Sequence, residues 1–159
     1  MEIYYTEYET PIGLITLGCV NNDIVLCGFG KVDVIGKHQE TDCLKEAAKQ
    51  LNEYFNGTRK VFQLSYRFLN GTDFQRKVWQ ALLDIPYGKT ASYKDIAKKV
   101  GSPQASRAVG GANHCNPIAI FIPCHRVIGA NKRLVGYAAG LDKKSFLLNL
   151  EKQNMISNE

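Results

Sequence analysis

No apolar run in this sequence approaches the length that a membrane-spanning helix needs. The opening Met1-Glu2-Ile3-Tyr4-Tyr5 has neither the basic nor the apolar region of a signal peptide, so no secretory leader is expected. Cysteine is present five times, an odd number without framework spacing, which predicts reduced thiols in a cytoplasmic compartment. No pair among Cys19, Cys27 and Cys43 has the close spacing of a zinc knuckle. With His38 they could in principle gather round a metal, but buried or incidental thiols are the expectation. The first half also lacks any spacing that would suggest catalysis.

What is there is an ordinary globular composition with an uneven charge. The chain has 159 residues, 45% hydrophobic and 22% charged, enough for one domain or two small ones. Residues 1–72 carry 7 Lys and Arg against 9 Asp and Glu, whereas residues 73–159 carry 13 against 6. The balance is −2 in the first part and +7 in the second, so an affinity for polyanions belongs to the second.

Residues 3–9, 13–20 and 24–29 read as short strands separated by turns at Pro11-Ile12-Gly13 and Asn21-Asn22-Asp23, a small antiparallel meander. A polar stretch, 30–39, leads to a helix marked by Leu44, Ala48, Leu51 and Phe55 and stopped at Gly57. Residues 60–68 read as one more strand. Asn70-Gly71-Thr72 is the expected boundary between a sheet-and-helix domain, 1–70, and a second domain, 71–159.

In the second domain Thr72 and Gln75 have capping-box spacing, and Phe74, Val78 and Leu82 mark one helix face. Ser92 and Asp95 repeat that spacing before Ile96, Ala97 and Val100. Ser102-Pro103 is expected to supply the N-cap and first residue of a following helix. Two short helices so closely joined are a helix-turn-helix candidate. The second carries Arg107 among Ala105, Ala108, Gly110, Gly111 and Ala112: small side chains admit a large neighbour while one cation reaches out. Helix-on-helix packing uses small residues equally well. Near the end, Asp142 is expected to cap a last helix, with Leu141 and Phe146 as its hydrophobic staple. Phe146, Leu147 and Leu150 form its expected buried face, which ends at Glu151 ahead of a fraying tail.

Between these helices lies the stretch with chemistry. Ile118-Ala119-Ile120-Phe121-Ile122 reads as a buried extended segment ending in Pro123-Cys124-His125-Arg126. A thiol in apolar surroundings is ordinarily inert, and His125 and Arg126 are the neighbours that could activate Cys124. In an extended chain adjacent side chains point apart, so transfer between Cys124 and His125 would need a bridging water. Glu151 is the late carboxylate placed to orient the histidine.

Ile122-Pro123-Cys124-His125-Arg126-Val127-Ile128 resembles the active-site signature of the O6-alkylguanine-DNA alkyltransferases (methylated-DNA–protein-cysteine methyltransferases). Phe74-Gln75-Arg76-Lys77-Val78-Trp79, Ile85-Pro86-Tyr87-Gly88-Lys89-Thr90, Ser92-Tyr93, Arg107-Ala108-Val109-Gly110-Gly111-Ala112, Asn116-Pro117 and Gly140-Leu141 are similar to the family in the same order. The resemblance implies an α+β fold. Its N-terminal domain would be α/β-type, with a small antiparallel, ribonuclease-H-like sheet and a supporting role. Its C-terminal domain would be mostly helical, with a helix-turn-helix of winged-helix type that binds DNA and transfers the alkyl group.

The implied activity is DNA repair by direct, single-turnover transfer of an alkyl group from O6-alkylguanine, and from O4-alkylthymine, to Cys124. His125 would be the base acting through a water, Glu151 its orienting partner and Asn116 the residue fixing the active-site turn. Tyr93 would donate a hydrogen bond to the departing guanine, and Arg107 would fill the stack after base flipping from the minor groove. The DNA-facing set is Arg107, Ala105, Ala108, Gly110, Gly111, Ser92, Lys94 and Arg126; the base pocket is Tyr93, Val127, Tyr137, Ala138 and Ala139. No cofactor or metal is implied. The partner would be double-stranded DNA carrying O6-alkylguanine, bound by a monomer able to cluster along the duplex, with no membrane involved. Ala139 stands where many relatives have glycine, so its methyl is expected to narrow the pocket against bulky alkyl groups. Three rivals stay open: a lesion-binding module without transfer, a cysteine hydrolase using Cys124, His125 and Glu151, and a transcription regulator built on the helix pair.

Overall fold

The computed structural model describes residues 1–129, 136, 137 and 140–157. The chain divides into two compact units, Met1–Leu69 and Asn70–Glu159.

In the first unit β1 (Tyr4–Thr10), β2 (Gly13–Val20) and β3 (Asp23–Phe29) form the expected antiparallel meander. Gly13 turns the first corner with φ +99°, and Asn21 turns the second with φ +53°, a conformation that asparagine tolerates better than most. The polar stretch that followed conceals a two-residue strand, β4 (Lys37–His38), and the expected strand over 60–68 shrinks to β5 (Ser65–Tyr66). Both lie at sheet edges in the order β4-β1-β2-β3-β5, and both pair in parallel, so the sheet is mixed rather than purely antiparallel. Parallel neighbours need a crossover: β1 reaches β4 by way of β2 and β3, and β3 reaches β5 by way of β4 and α1 (Asp42–Phe55). Thr41 caps α1 by accepting the Leu44 N–H, and the helix buries Leu44, Ala47, Leu51 and Tyr54. Strand pairing stops short of residue 63 because the Gln50 side chain takes both backbone groups of Gln63, at 2.9 and 3.3 Å.

In the second unit α2 (Asp73–Leu82) and α3 (Tyr93–Lys99) start on the two expected capping boxes, Thr72 with Gln75 and Ser92 with Asp95. The next helix, α4 (Ser106–His114), starts later than expected and without a side-chain cap. Ser102-Pro103 instead begins a turn closed by the Ala105 N–H on the Ser102 carbonyl at 2.9 Å. A proline's fixed φ suits the second position of such a turn as well as it suits a helix start. The Trp79 indole donates to the Ala112 carbonyl at 2.8 Å and ties α2 to α4.

β6 (Ala91–Ser92) pairs in parallel with β7 (Val127–Ile128), which sets the start of α3 beside the residues that follow Cys124. The last helix, α5 (Leu141–Ser157), begins at Leu141, so Asp142 lies in its first turn rather than at its cap. Leu141 and Phe146 are both exposed, so the expected staple does not bury them, and the helix runs past Glu151 to Ser157. Its buried residues include Lys144, Leu147 and Glu151, one helical face on which two of the three members are charged.

Candidate active site

Residues 118–127 are all buried, as the apolar run predicts, but the run 118–122 is coiled through turns rather than extended. Ile120 sits at φ +69°, an uncommon and costly conformation for a β-branched residue, and the chain bends through turns closed at Phe121, Ile122 and Cys124. Asn116 spans the bend: its Nδ2 donates to the Ile122 carbonyl at 2.8 Å and its Oδ1 accepts the Ile118 N–H at 3.0 Å. Asn113, which the sequence did not single out, donates to the Cys124 carbonyl at 3.2 Å. The two amides thus hold both flanks of the nucleophile from the end of α4.

Cys124, His125 and Arg126 form one turn of 3₁₀ helix. Cys124 is buried, and burial pushes its thiol above the usual range, while Asn116, Tyr137 and the Lys144 charge act the other way. His125 is fully enclosed, with Nε2 2.7 Å from Oε2 of Glu151. A carboxylate cannot donate, so Nε2 carries the hydrogen and Nδ1 presents its lone pair. Nδ1 has no hydrogen-bond partner among the described residues. Burial lowers the ring's pKa against the opposing pull of Glu151, which keeps the imidazole neutral and able to accept a proton.

Glu151 is the hub. Beyond His125 it accepts from Arg126 Nε at 2.9 Å, Arg126 Nη2 at 3.0 Å and the Gly88 N–H at 3.2 Å. Burial alone would raise its carboxyl, yet His125 and Arg126 bring it down to about 2. Arg126 sends its remaining arm to the Ile85 carbonyl at 2.7 Å. This corrects its place among the DNA-facing residues: Arg126 is buried and bound at both ends, because its bidentate fit to Glu151 satisfies a charge that the interior could not otherwise hold.

Lys144 was not anticipated. Its ammonium is enclosed and donates to the Val127 and Gly136 carbonyls, with the Tyr137 ring centroid 6.0 Å away. The available signal was its position, three residues before Leu147 and seven before Glu151, on the inward face of α5.

Tyr93 opens α3 half-buried, and burial together with the Cys124 charge raises its phenol, so it stays a neutral donor. Its ring lies against Gly110, where an added Cβ would come within 3.8 Å. Arg107, Ala108, Gly111 and Lys94 are exposed, Ala105 is half-buried, and the Ser92 hydroxyl is occupied in capping α3. Val127 is buried, and Tyr137 is partly so. The expectations for Ala138 and Ala139 lie outside the described residues. Among the described residues no cluster of three metal-ligating side chains occurs, and no helix is long and apolar enough to cross a membrane.

The buried pair makes stability depend on pH. With the folded pKa of His125 below its ordinary 6.5, the unfolded chain takes up a proton first, so stability falls once the pH drops through that value. Glu151, about 2 when folded against an ordinary 4.5, contributes stability above 4.5 that is lost progressively towards 2. Melting temperature measured from pH 8 to pH 3 is expected to decline in those two stages. A flat profile down to pH 4 would contradict the buried pair.

The site thus brings together a thiol, a base fixed by an anchored carboxylate and a neutral phenol, beside a helix with exposed small residues. Two domain profiles match the chain: 6-O-methylguanine DNA methyltransferase, ribonuclease-like domain, over residues 3–68, and 6-O-methylguanine DNA methyltransferase, DNA binding domain, over 73–153. A methylated-DNA–protein-cysteine methyltransferase of Methanosarcina acetivorans is 49% identical, covering 94% of this chain and 98% of its own. The constitutive enzyme of that name from Bacillus subtilis is 48% identical, covering 94% and 95%. The Mycobacterium tuberculosis OGT solved in complex with DNA superposes with a TM-score of 0.89 at 42% identity, covering 95% of this chain and 94% of that one. The chain belongs to the 6-O-methylguanine DNA methyltransferase family. As a member it is a DNA-binding repair methyltransferase whose acceptor is a protein cysteine.

Proposed function

We propose that this chain removes the alkyl group of O6-alkylguanine in duplex DNA by moving it irreversibly to Cys124, once per molecule. The observation that carries this reading is the locked histidine: Nε2 committed to Glu151, with Nδ1 left to act beside a buried thiol. In the proposed reaction Nδ1 takes the Cys124 proton through a water. The thiolate then attacks the alkyl carbon in line, the C–O bond breaks, and its electron pair stays on the guanine. The departing base is stabilised by a hydrogen bond from Tyr93, placed where charge develops. The product is a thioether, a poor leaving group, so the acceptor is not regenerated and no cofactor is called for. O4-alkylthymine presents the same O–alkyl bond and is a second proposed substrate.

A buried thiol cannot reach a stacked base, so the nucleotide must leave the duplex. We assign α3 and α4 to the minor groove. Exposed Ala108 and Gly111, together with Gly110, allow close approach there, Arg107 fills the gap in the stack, and Lys94 meets phosphate. The unit Met1–Leu69 is read as support and Asn70–Glu159 as the DNA-binding and transfer unit. The relatives' substrate and five free thiols support placing the protein in the cytoplasm with the chromosome.

Arg107→Ala is expected to slow transfer from duplex DNA by about tenfold or more, a part of the cost of extruding a base, while leaving reaction with the free O6-methylguanine base unchanged. Equal losses on both substrates would show that Arg107 does not act in extrusion. The reading as a whole is tested by mixing the protein with DNA carrying a labelled O6-methylguanine. Label is expected to move to protein, at most one equivalent per chain. Repeated turnover would favour a hydrolase, and binding without transfer a lesion-recognition module.

A further inference from the structure

Cys19 and Cys43 lie outside the site described above, in the unit Met1–Leu69. Cys19 is on β2 with its side chain enclosed, and Cys43 is the second residue of α1. Their sulfurs are 2.7 Å apart, although both are free thiols. A disulfide needs roughly 2.05 Å, so closure asks for less movement than one bond length. Access comes from one side only. Cys43 opens onto a cleft of about 590 Å³ lined also by Asn22, Asp42, Glu46, Phe62 and Ser65, while Cys19 sits behind it. Burial pushes both thiols up, more weakly opposed at Cys43 by its hydrogen bond with Cys19.

We infer that Cys19 and Cys43 are a redox pair that closes to a disulfide by exchange with a small-molecule disulfide entering the cleft beside Cys43. Cys43, its proton released to solvent, attacks one sulfur of the reagent. That S–S bond breaks, and the first thiolate leaves and takes up a proton. Cys19 then gives up its proton and attacks the Cys43 sulfur of the mixed disulfide, expelling the second thiolate, which is protonated in turn. Two protein thiols are oxidised and one small disulfide is reduced to two thiols. Asp42 and Glu46 at the mouth favour neutral or cationic reagents over anionic ones. The bond would staple the start of α1 to the central strand of the sheet without consuming Cys124.

The full chain, folded and reduced, is to be incubated with bis(hydroxyethyl) disulfide, quenched with iodoacetamide, digested and mapped by mass spectrometry. The expected product links the peptides of Cys19 and Cys43 with loss of two hydrogens, forms severalfold more slowly with glutathione disulfide, and melts several degrees higher until dithiothreitol is added. Cys43→Ser, at a partly exposed position, is expected to fold normally and to give no such link. A stable reagent adduct on Cys43 with Cys19 still free would overturn the inference. So would a link from Cys19 to another cysteine, or modification of exposed Cys115 while this pair stays reduced.

Discussion

Cys124→Ala is expected to abolish transfer of the methyl group from DNA to protein while leaving the affinity for lesion-bearing duplex essentially unchanged. The thiol is the only one of five that lies in the turn held by Asn113 and Asn116 and followed directly by His125. Removing one buried sulfur leaves a small cavity, a modest cost that the surrounding fold can bear. The residues of α3 and α4 proposed to face DNA stay in place. Transfer is read by label on the protein and binding by a gel or fluorescence titration at fixed salt, since phosphate contacts make affinity salt-dependent. If the variant still takes up label, for instance on exposed Cys115, the nucleophile has been misassigned.

Glu151→Gln is expected to damage both stability and chemistry. The carboxylate accepts four hydrogen bonds, from His125, two arms of Arg126 and the Gly88 N–H. An amide of the same shape keeps one accepting oxygen, turns an NH₂ towards two of the four donors and removes the counter-charge of buried Arg126. Breaking a buried pair in this way costs about 3–5 kcal/mol. For a chain of this size that is a drop of about 10 °C in melting temperature. Assayed well below that temperature, transfer is expected to slow on the order of 100-fold, because a neutral amide with one accepting oxygen no longer holds Nε2–H, or supports a charged imidazole, as the carboxylate does. The rate should also lose its dependence on the histidine's titration. A variant that melts lower but reacts at the wild-type rate would reduce Glu151 to a structural anchor.

The parts of this fold that could be read from sequence are those decided locally. Thr72 with Gln75 and Ser92 with Asp95 each satisfy a helix start within four residues, so spacing alone predicts them. The meander from Tyr4 to Phe29 is likewise set by runs rich in β-branched and aromatic residues and by two short turns. Misreadings arose where one local pattern serves two structures. Ser102-Pro103 suits a turn and a helix start equally. The run from Ile118 to Ile122 is apolar whether extended or coiled, and it is the Asn116 side chain that selects the coil. The parallel edge strands and the inward turn of Arg126 depend on partners 25 or more residues away, which composition cannot reveal. Lys144 was hidden for the same reason: its partners are the carbonyls of Val127 and Gly136, reached only once α5 has folded back beside β7. Glu151 entered as a candidate through its family resemblance and its place at the end of a helix, and the structure joins it to His125.

The measurement that bears most directly on this account is peptide mapping of the protein after reaction with an excess of duplex carrying a single O6-methylguanine. The predicted result is one added methyl group per chain, on the peptide containing Cys124 and on its sulfur, with repair ceasing when that peptide is fully converted. An unmodified Cys124 beside repaired DNA, or more lesions removed than protein molecules present, would contradict it.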